Sequence, residues 1–251
     1  MISTYRALLL IPTVLRVGCA TQVRGIKKIR KVFRQNLPKY RNDLSRLPPL
    51  TKLLIEDVDK TAERITAATR LRQEKLEIYK QYMPDRSNFI LIEALFAENN
   101  NDIDELLRIV DCNLITMNSF YIGVSFEVIN DMIELGLCDP STVAVAPEFK
   151  RLCEKAMFKL RFFESDELLK LIKCLSSVGV PGDALIVQGA LQMVRHLIND
   201  FEIQELEALA NTLNRIECEN EGDKKSLITA IKKAIPITQQ QKSDLGLLPA
   251  Q

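Results

Sequence analysis

The sequence predicts an all-α protein: a helix-pair repeat array of the α-solenoid kind, preceded by a long helix and a basic presequence. Composition is the first observation behind this. The 251 residues are 47% hydrophobic and 6% aromatic with no Trp, and Leu, Ile, Ala, Glu and Lys carry most of the chain, a mix that favours helices over a sandwich or barrel. Internal repetition is the second. Phe163-Glu-Ser-Asp-Glu-Leu168 returns 38 residues later as Phe201-Glu-Ile-Gln-Glu-Leu206, and behind it Leu171, Ile172, Leu175 and Val178 become Leu209, Ala210, Leu213 and Ile216. Apolar positions at i, i+3, i+4, i+7 and i+10 make one stripe of an amphipathic helix, and a second apolar helix follows before the next copy, the signature of a helix-pair repeat. A weaker copy lies 43 residues upstream, where Val128, Ile129, Met132 and Leu135 precede Gly136 as Leu171, Ile172, Leu175 and Val178 precede Gly179. The length allows one large domain or two small ones, either with a sizeable core.

Residues 1–36 read as a mitochondrial presequence. Arg6, Arg16, Arg24, Lys27, Lys28, Arg30, Lys31 and Arg34 recur among apolar residues with no acid between them, so a helix here is basic on one side and apolar on the other. A secretory signal is the competing reading, from the apolar run 7–15 and the small residues Gly18, Cys19 and Ala20. Arg16 interrupts that pattern, and the basic series continues far past it. The run also falls short of the ~20 residues needed to cross a bilayer. In a third reading the arm is retained as a solvated basic segment, and in a fourth Lys27 to Arg46 hold RNA phosphates.

Residues 37–86 are expected to form a basic linker and the long helix. Pro48 and Pro49 precede a helix over 51–82, whose stripe is Leu53, Leu54, Val58, Ala62, Ile65, Ala68, Leu71, Leu76 and Tyr79; Glu56, Asp57, Asp59, Lys60, Glu63 and Arg64 fill its solvated faces.

The helical-repeat domain is placed at 87–237. Helices are expected over 89–97 and 103–110, the second capped by Asp102, and over 121–136, ending in a left-handed Gly136. Asp139-Pro140-Ser141 reads as a turn, and Pro147 opens a helix continuing to 162 with Phe149, Leu152, Cys153, Ala156, Met157 and Leu160 inward. Ser165 or Asp166 is expected to cap a helix over 167–178, and 184–198 returns after the turn at 179–183. Residues 203–216 and 226–235 repeat that pair. Pro236 is read as the stop, leaving 238–251 as a flexible tail.

Charge narrows the functional classes. Residues 1–48 hold eleven Lys or Arg against a single acid, Asp43; taken from the chain's 34 basic and 33 acidic residues, they leave 23 bases and 32 acids, a net −9. The helical body is therefore not basic as a whole, and a nucleic-acid site there has to be a local patch. Two patches can be read. Counted by the repeat offsets, Asn130, Lys173 and Asn211 take the same place on successive first helices, a row of amide and ammonium groups suited to hydrogen-bonding unpaired bases; ordinary solvated positions are the plain alternative. Lys150, Arg151, Lys155 and Lys159, with Arg161, project within about three helical turns among only Glu148 and Glu154, a ridge able to position a phosphate backbone or simply a solvated face.

No phosphate-binding loop, dinucleotide fingerprint, nucleophile elbow or His-Glu-x-x-His motif is present. The six cysteines form no Cys-x-x-Cys pair, and with a single His a Cys/His zinc site is nearly excluded. His196, between core positions Val194 and Leu197, reads as a boundary or surface residue. The expectation is a non-enzyme with no cofactor, no metal and no small-molecule substrate.

From about 121 to 235 the residues Phe163-x-x-x-Glu167-Leu168-x-x-Leu171-Ile172-x-x-Leu175-x-x-Val178-Gly179, with their echo from Phe201 to Ile216, resemble the helical-repeat region of the FAST kinase-domain family and the related octotricopeptide-type repeats. The resemblance implies a mitochondrial matrix protein acting on organellar RNA, in processing, stability or translation. Members of that family usually end in a compact RAP domain of nuclease-like architecture, which the residues from Gln239 to Gln251 do not supply, so no nuclease role is implied. The expected partner is mitochondrial RNA or a ribonucleoprotein. The alternative, which the acidic body favours, is a structural or assembly factor gripping a subunit of the mitoribosome or of a respiratory complex.

Overall fold

A computed structural model describes residues 49–82, 86–97, 102–217 and 221–244, and every regular element among them is a helix. The presequence 1–36, residues 37–48 and the last seven residues of the expected tail lie outside the described residues. In chain order the elements are α1 (Pro49–Tyr82), α2 (Arg86–Leu95), α3 (Ile103–Asn113), α4 (Ser119–Glu134), α5 (Pro140–Val145), α6 (Pro147–Lys159), a 3-10 turn (Leu160–Phe162), α7 (Ser165–Val178), α8 (Leu185–Leu197), α9 (Ile203–Arg215) and α10 (Glu221–Asp244).

The repeated Phe-Glu-x-x-Glu-Leu string is a helix start, and the structure gives each of its letters a task. The backbone N–H of Glu164 donates to the Glu167 carboxylate at 2.8 Å, and that of Glu202 to Glu205 at 2.8 Å, one half of a capping box in each copy. The residue before the cap is a buried Phe163 or Phe201, and four positions into the helix comes a buried Leu168 or Leu206, the hydrophobic staple that sets the entry angle of the chain. The cap is therefore Glu164, one or two residues ahead of the expected Ser165 or Asp166. Those types are preferred in general, but the buried Phe163 decides where the chain turns in.

The helix ends repeat as well. Gly136 (φ 64°) and Gly179 (φ 79°) are left-handed. Behind them Leu137 N–H reaches Met132 O at 2.9 Å, and Val180 N–H reaches Leu175 O at 2.9 Å, a Schellman motif in both places.

Two expected features differ. Asp139-Pro140-Ser141 is the start of the short helix α5, because the Asp139 side chain accepts from Ser141 N–H at 3.0 Å and Pro140 suits a first turn. Pro236 lies inside α10, which runs on to Asp244. The ring of a proline removes one helical donor and crowds the carbonyl four residues back; here it sits on an exposed face, and Thr238 Oγ1 donates back to Ala234 O at 3.1 Å. The stop read at Pro236 is thus not a stop.

The helices pack in register. A Cβ built on Gly123 of α4 would lie 2.7 Å from Glu167 Cγ of α7, and one turn on Lys170 of α7 lies 3.5 Å from Glu127 of α4. Both contacts advance in the same direction, so α4 and α7 run parallel. The same holds for α3 and α6, joined by Arg151 to Asp111 at 2.7 Å and by Lys155 to Ile115 O at 3.3 Å. α7 further packs on α8 and α9, and α9 on α10. The long α1 runs antiparallel to α4: Arg64 reaches Gly136 O, Lys75 reaches Asp131, and Tyr79 reaches Glu127. One continuous core joins Tyr79 of α1 to Ile231 of α10.

Candidate functional site

The residues expected to form a row are not equally presented. Asn130 is only 6% exposed and its Oδ1 has no hydrogen-bond partner among the described residues. It continues the Gly123–Glu127 stripe of α4 that faces α7, so its amide is enclosed and not presented to a ligand. Lys173 is half-buried, and Asn211 is exposed. Of the three, Asn211 alone is exposed.

The basic ridge on α6 is likewise divided. Arg151 is committed to Asp111, with Nε and Nη2 at 2.7 and 2.9 Å, and touches Glu148 at 3.3 Å. Hydrogen bonding to Arg151 holds the Asp111 carboxyl below its ordinary value. Lys155 donates to Ile115 O just past the end of α3, where the helix dipole favours a cation. Lys150 makes no ion pair among the described residues, and Lys159 Nζ sits 5.6 Å from the Phe162 ring centroid. The part of the ridge left for a ligand is therefore Lys150 at one end and Lys159 with Arg161 at the other.

That second end carries a feature which the sequence pattern does not reveal. Phe158 is 82% exposed and Phe162 52%, and the Arg161 guanidinium carbon lies 4.6 Å from the Phe162 ring centroid. Neighbouring Ala156, Leu160 and Phe163 are buried, so the turn is pinned from beneath while Phe158, Arg161 and Phe162 point outward. Expected inward, Met157 is instead partly exposed and lies against α8, where Gly189 gives it room. The only signal in the chain is two Phe placed among Lys159 and Arg161, and periodicity ranks an aromatic as core.

Compared with known proteins, the chain matches no family model, no curated protein and no solved structure.

A charge cluster beneath the surface ties α1, α4 and α7 together. Lys75 lies 2.7 Å from Glu127 and 2.6 Å from Asp131, Tyr79 donates to Glu127 at 2.6 Å, and Lys170 reaches Glu127, Tyr79 and Asp166. The side chains of Lys75, Glu127, Asp131 and Lys170 are 14–20% exposed. Burial pushes the Glu127 carboxyl up, but Lys75 and Lys170 with the Tyr79 hydrogen bond outweigh it and hold it below the usual carboxylate value. Asp131 goes the other way, raised by burial against the pull of Lys75. For Lys75 and Lys170 burial acts downward, yet the surrounding carboxylates leave both raised; Tyr79 is raised by burial and by Glu127.

These directions set a pH window for stability. The depressed Glu127 contributes stability above its ordinary value of 4.5, and this is lost as pH falls through its folded-state pKa. Raised Asp131 partly offsets that on the acid side. Raised Tyr79, Lys75 and Lys170 contribute fully below their ordinary values of 10.0 and 10.5, and this is lost as pH rises beyond them. The thermal midpoint, followed by helical circular dichroism, is expected to hold a plateau between these limits and to fall on both sides. Glu127→Gln is expected to shrink the acid-side fall; an unchanged acid limb would show that Glu127 is not what sets it.

Three of the described cysteines are enclosed or partly enclosed, and Cys112 is exposed. Burial pushes the Cys138 thiol up to about 11 and Cys153 to about 12, and the fully enclosed Cys174 well above its ordinary value. At neutral pH these three stay protonated and are poor nucleophiles. Among the described residues no group of His, Cys, Asp and Glu is arranged to hold a metal ion, and no helix is long and apolar enough to cross a membrane.

Proposed function

We propose that the helix pairs stack as an α-solenoid-like array that binds RNA or a ribonucleoprotein in the mitochondrial matrix and serves RNA processing, stability or translation there. The observation that carries this reading is the parallel, in-register packing of α4 on α7 and of α3 on α6. In such an array each unit lays its first helix on the next first helix and its second on the next second, and the product is an extended surface open along its length. The offset of 43 residues between Glu127 and Lys170, in contact at 3.5 Å, equals the offset between the two sequence copies. Support for RNA comes from the cations that remain uncommitted on the α6 edge, and support for the compartment from the basic, acid-free residues 1–36.

The test is ultraviolet crosslinking in isolated mitochondria, then RNase digestion and purification. The expected result is a protein that retains labelled RNA and loses most of it when Lys150 and Lys159 are changed to Glu. Protein without label, recovered in fixed ratio with a larger complex, would replace this reading with the second one, an assembly factor that grips another protein. The net −9 outside residues 1–48 and the exposed Ile90 and Ile115 favour that second reading.

A further inference from the structure

We infer that Phe158 and Phe162, with Lys159 and Arg161, form a stacking platform for unpaired bases of single-stranded RNA; this rests on the RNA reading proposed above and names its contact surface. Both rings stand in solvent, 82% and 52% exposed, where the end of α6 passes into a turn fixed beneath by buried Leu160 and Phe163. They flank the junction between the last turn of α6, which carries Phe158, and the 3-10 turn, which carries Phe162. The Arg161 guanidinium carbon at 4.6 Å and Lys159 Nζ at 5.6 Å from the Phe162 centroid lie over that ring, close enough for cation–π attraction, and leave the Phe158 ring and the guanidinium plane itself as stacking faces.

An aromatic face beside a guanidinium is what an extruded base and its phosphate require together: the base stacks on the ring, the phosphate pairs with the cation. Bases in a duplex have their faces covered, so the occupant is single-stranded. The patch is bordered by two acids, the exposed Glu154 and Glu164, and Glu154 stands between Phe158 and Lys150 along α6, so the phosphate path runs on the Arg161 and Lys159 side. The chain's own residues 1–48 are a poor occupant, since eleven Lys or Arg against one acid would be repelled from this site. An apolar protein surface would satisfy the rings and leave the cations without partners.

Binding of the full chain to a short fluorescent single-stranded RNA of mixed sequence, and to a duplex of the same length, tests this by anisotropy across a salt series. Single strands are expected to bind more tightly than duplex. Phe158→Ala and Phe162→Ala are each expected to weaken binding roughly tenfold without changing the salt slope. Lys159→Gln with Arg161→Gln is expected to flatten that slope by about 1.4, or ~0.7 for each single-strand phosphate no longer neutralised. Because the chain has no Trp, Phe162→Trp creates a single reporter, expected to retain binding and to be quenched by RNA. If the wild-type chain binds RNA while both Ala variants bind equally well, or the Trp is not quenched, the platform is wrong and the RNA reading stands. A wild-type chain that binds no RNA overturns both. Absence of a co-purifying protein from the Phe variants, with RNA binding intact, overturns the platform in favour of a protein-docking patch.

Discussion

Glu127→Ala is expected to lower the stability of the chain by about 3 kcal/mol, seen as a fall in thermal midpoint of roughly 6–12 °C for a domain of this size. Glu127 of α4 is the acceptor that ties its own helix to two others: Lys75 at 2.7 Å and Tyr79 at 2.6 Å come from α1, and Lys170 at 3.5 Å from α7. Its removal leaves a phenol without its acceptor and two ammonium groups each with one carboxylate fewer, in a site where solvent reaches 14–20% of the ionic side chains. Losing one member of such a cluster costs far more than the cluster's net worth, because desolvation of the remaining charges is no longer offset. An exposed pair supplies the control. Arg108 and Glu105 lie 2.6 Å apart on α3 in open solvent, where screening and side-chain entropy cancel most of the attraction, and Glu105→Ala is expected to leave the midpoint unchanged. Equal effects at Glu105 and Glu127 would mean that solvent reaches the buried cluster freely.

Gly123→Val is expected to cost about 3 kcal/mol, measured as a lowered urea midpoint with an unchanged m-value. The helix itself would gain from losing a glycine, by as much as ~1 kcal/mol for alanine. Packing wins over propensity. A Cβ there meets Glu167 Cγ at 2.7 Å, Glu167 Cβ at 2.9 Å and the Glu167 Cα at 3.2 Å. The near atoms belong to the root of a side chain and to backbone, and Glu167 cannot swing aside without releasing the N–H of Glu164 that it holds at 2.8 Å. The α4–α7 interface therefore has to open. Gly189→Ala makes the comparison sharp: its close neighbours are Leu160 Cδ2 at 2.9 Å and Met157 Sδ at 3.3 Å, both distal atoms of adaptable side chains, and its cost is expected to be nearly cancelled by the gain in helix propensity. If the two glycines respond alike, parallel α4–α7 contact is not the tight one described.

Much of the local structure could be read from the chain because it depends on nearest neighbours. Asp102 caps α3, accepting from Asp104 N–H at 3.0 Å, and Gly136 is left-handed with φ 64°; both follow from residue type and position alone. Across helices, Gly123 meets Glu167 and Glu127 meets Lys170, 44 and 43 residues on, against 43 for the weaker sequence copy and 38 for the clear one. The candidate site was less legible. Lys150, Arg151, Lys155 and Lys159 look equivalent as a string, but Arg151 and Lys155 face α3 and are consumed there. Lys75 has no mark in the sequence pattern of α1, and only the arrival of α4 reduces its side chain to 20% exposure.

The sequence by itself determined that the described chain folds into helices, where most of them begin and end, and at what interval the pattern returns, because stripe, cap and turn are settled within a few residues. The tertiary structure alone decided which polar groups face water. Asn130 is enclosed while Asn211 is open, and Phe158 is exposed while Phe163 is buried, because burial depends on which neighbouring helix covers each face, and that neighbour lies some forty residues away in the chain.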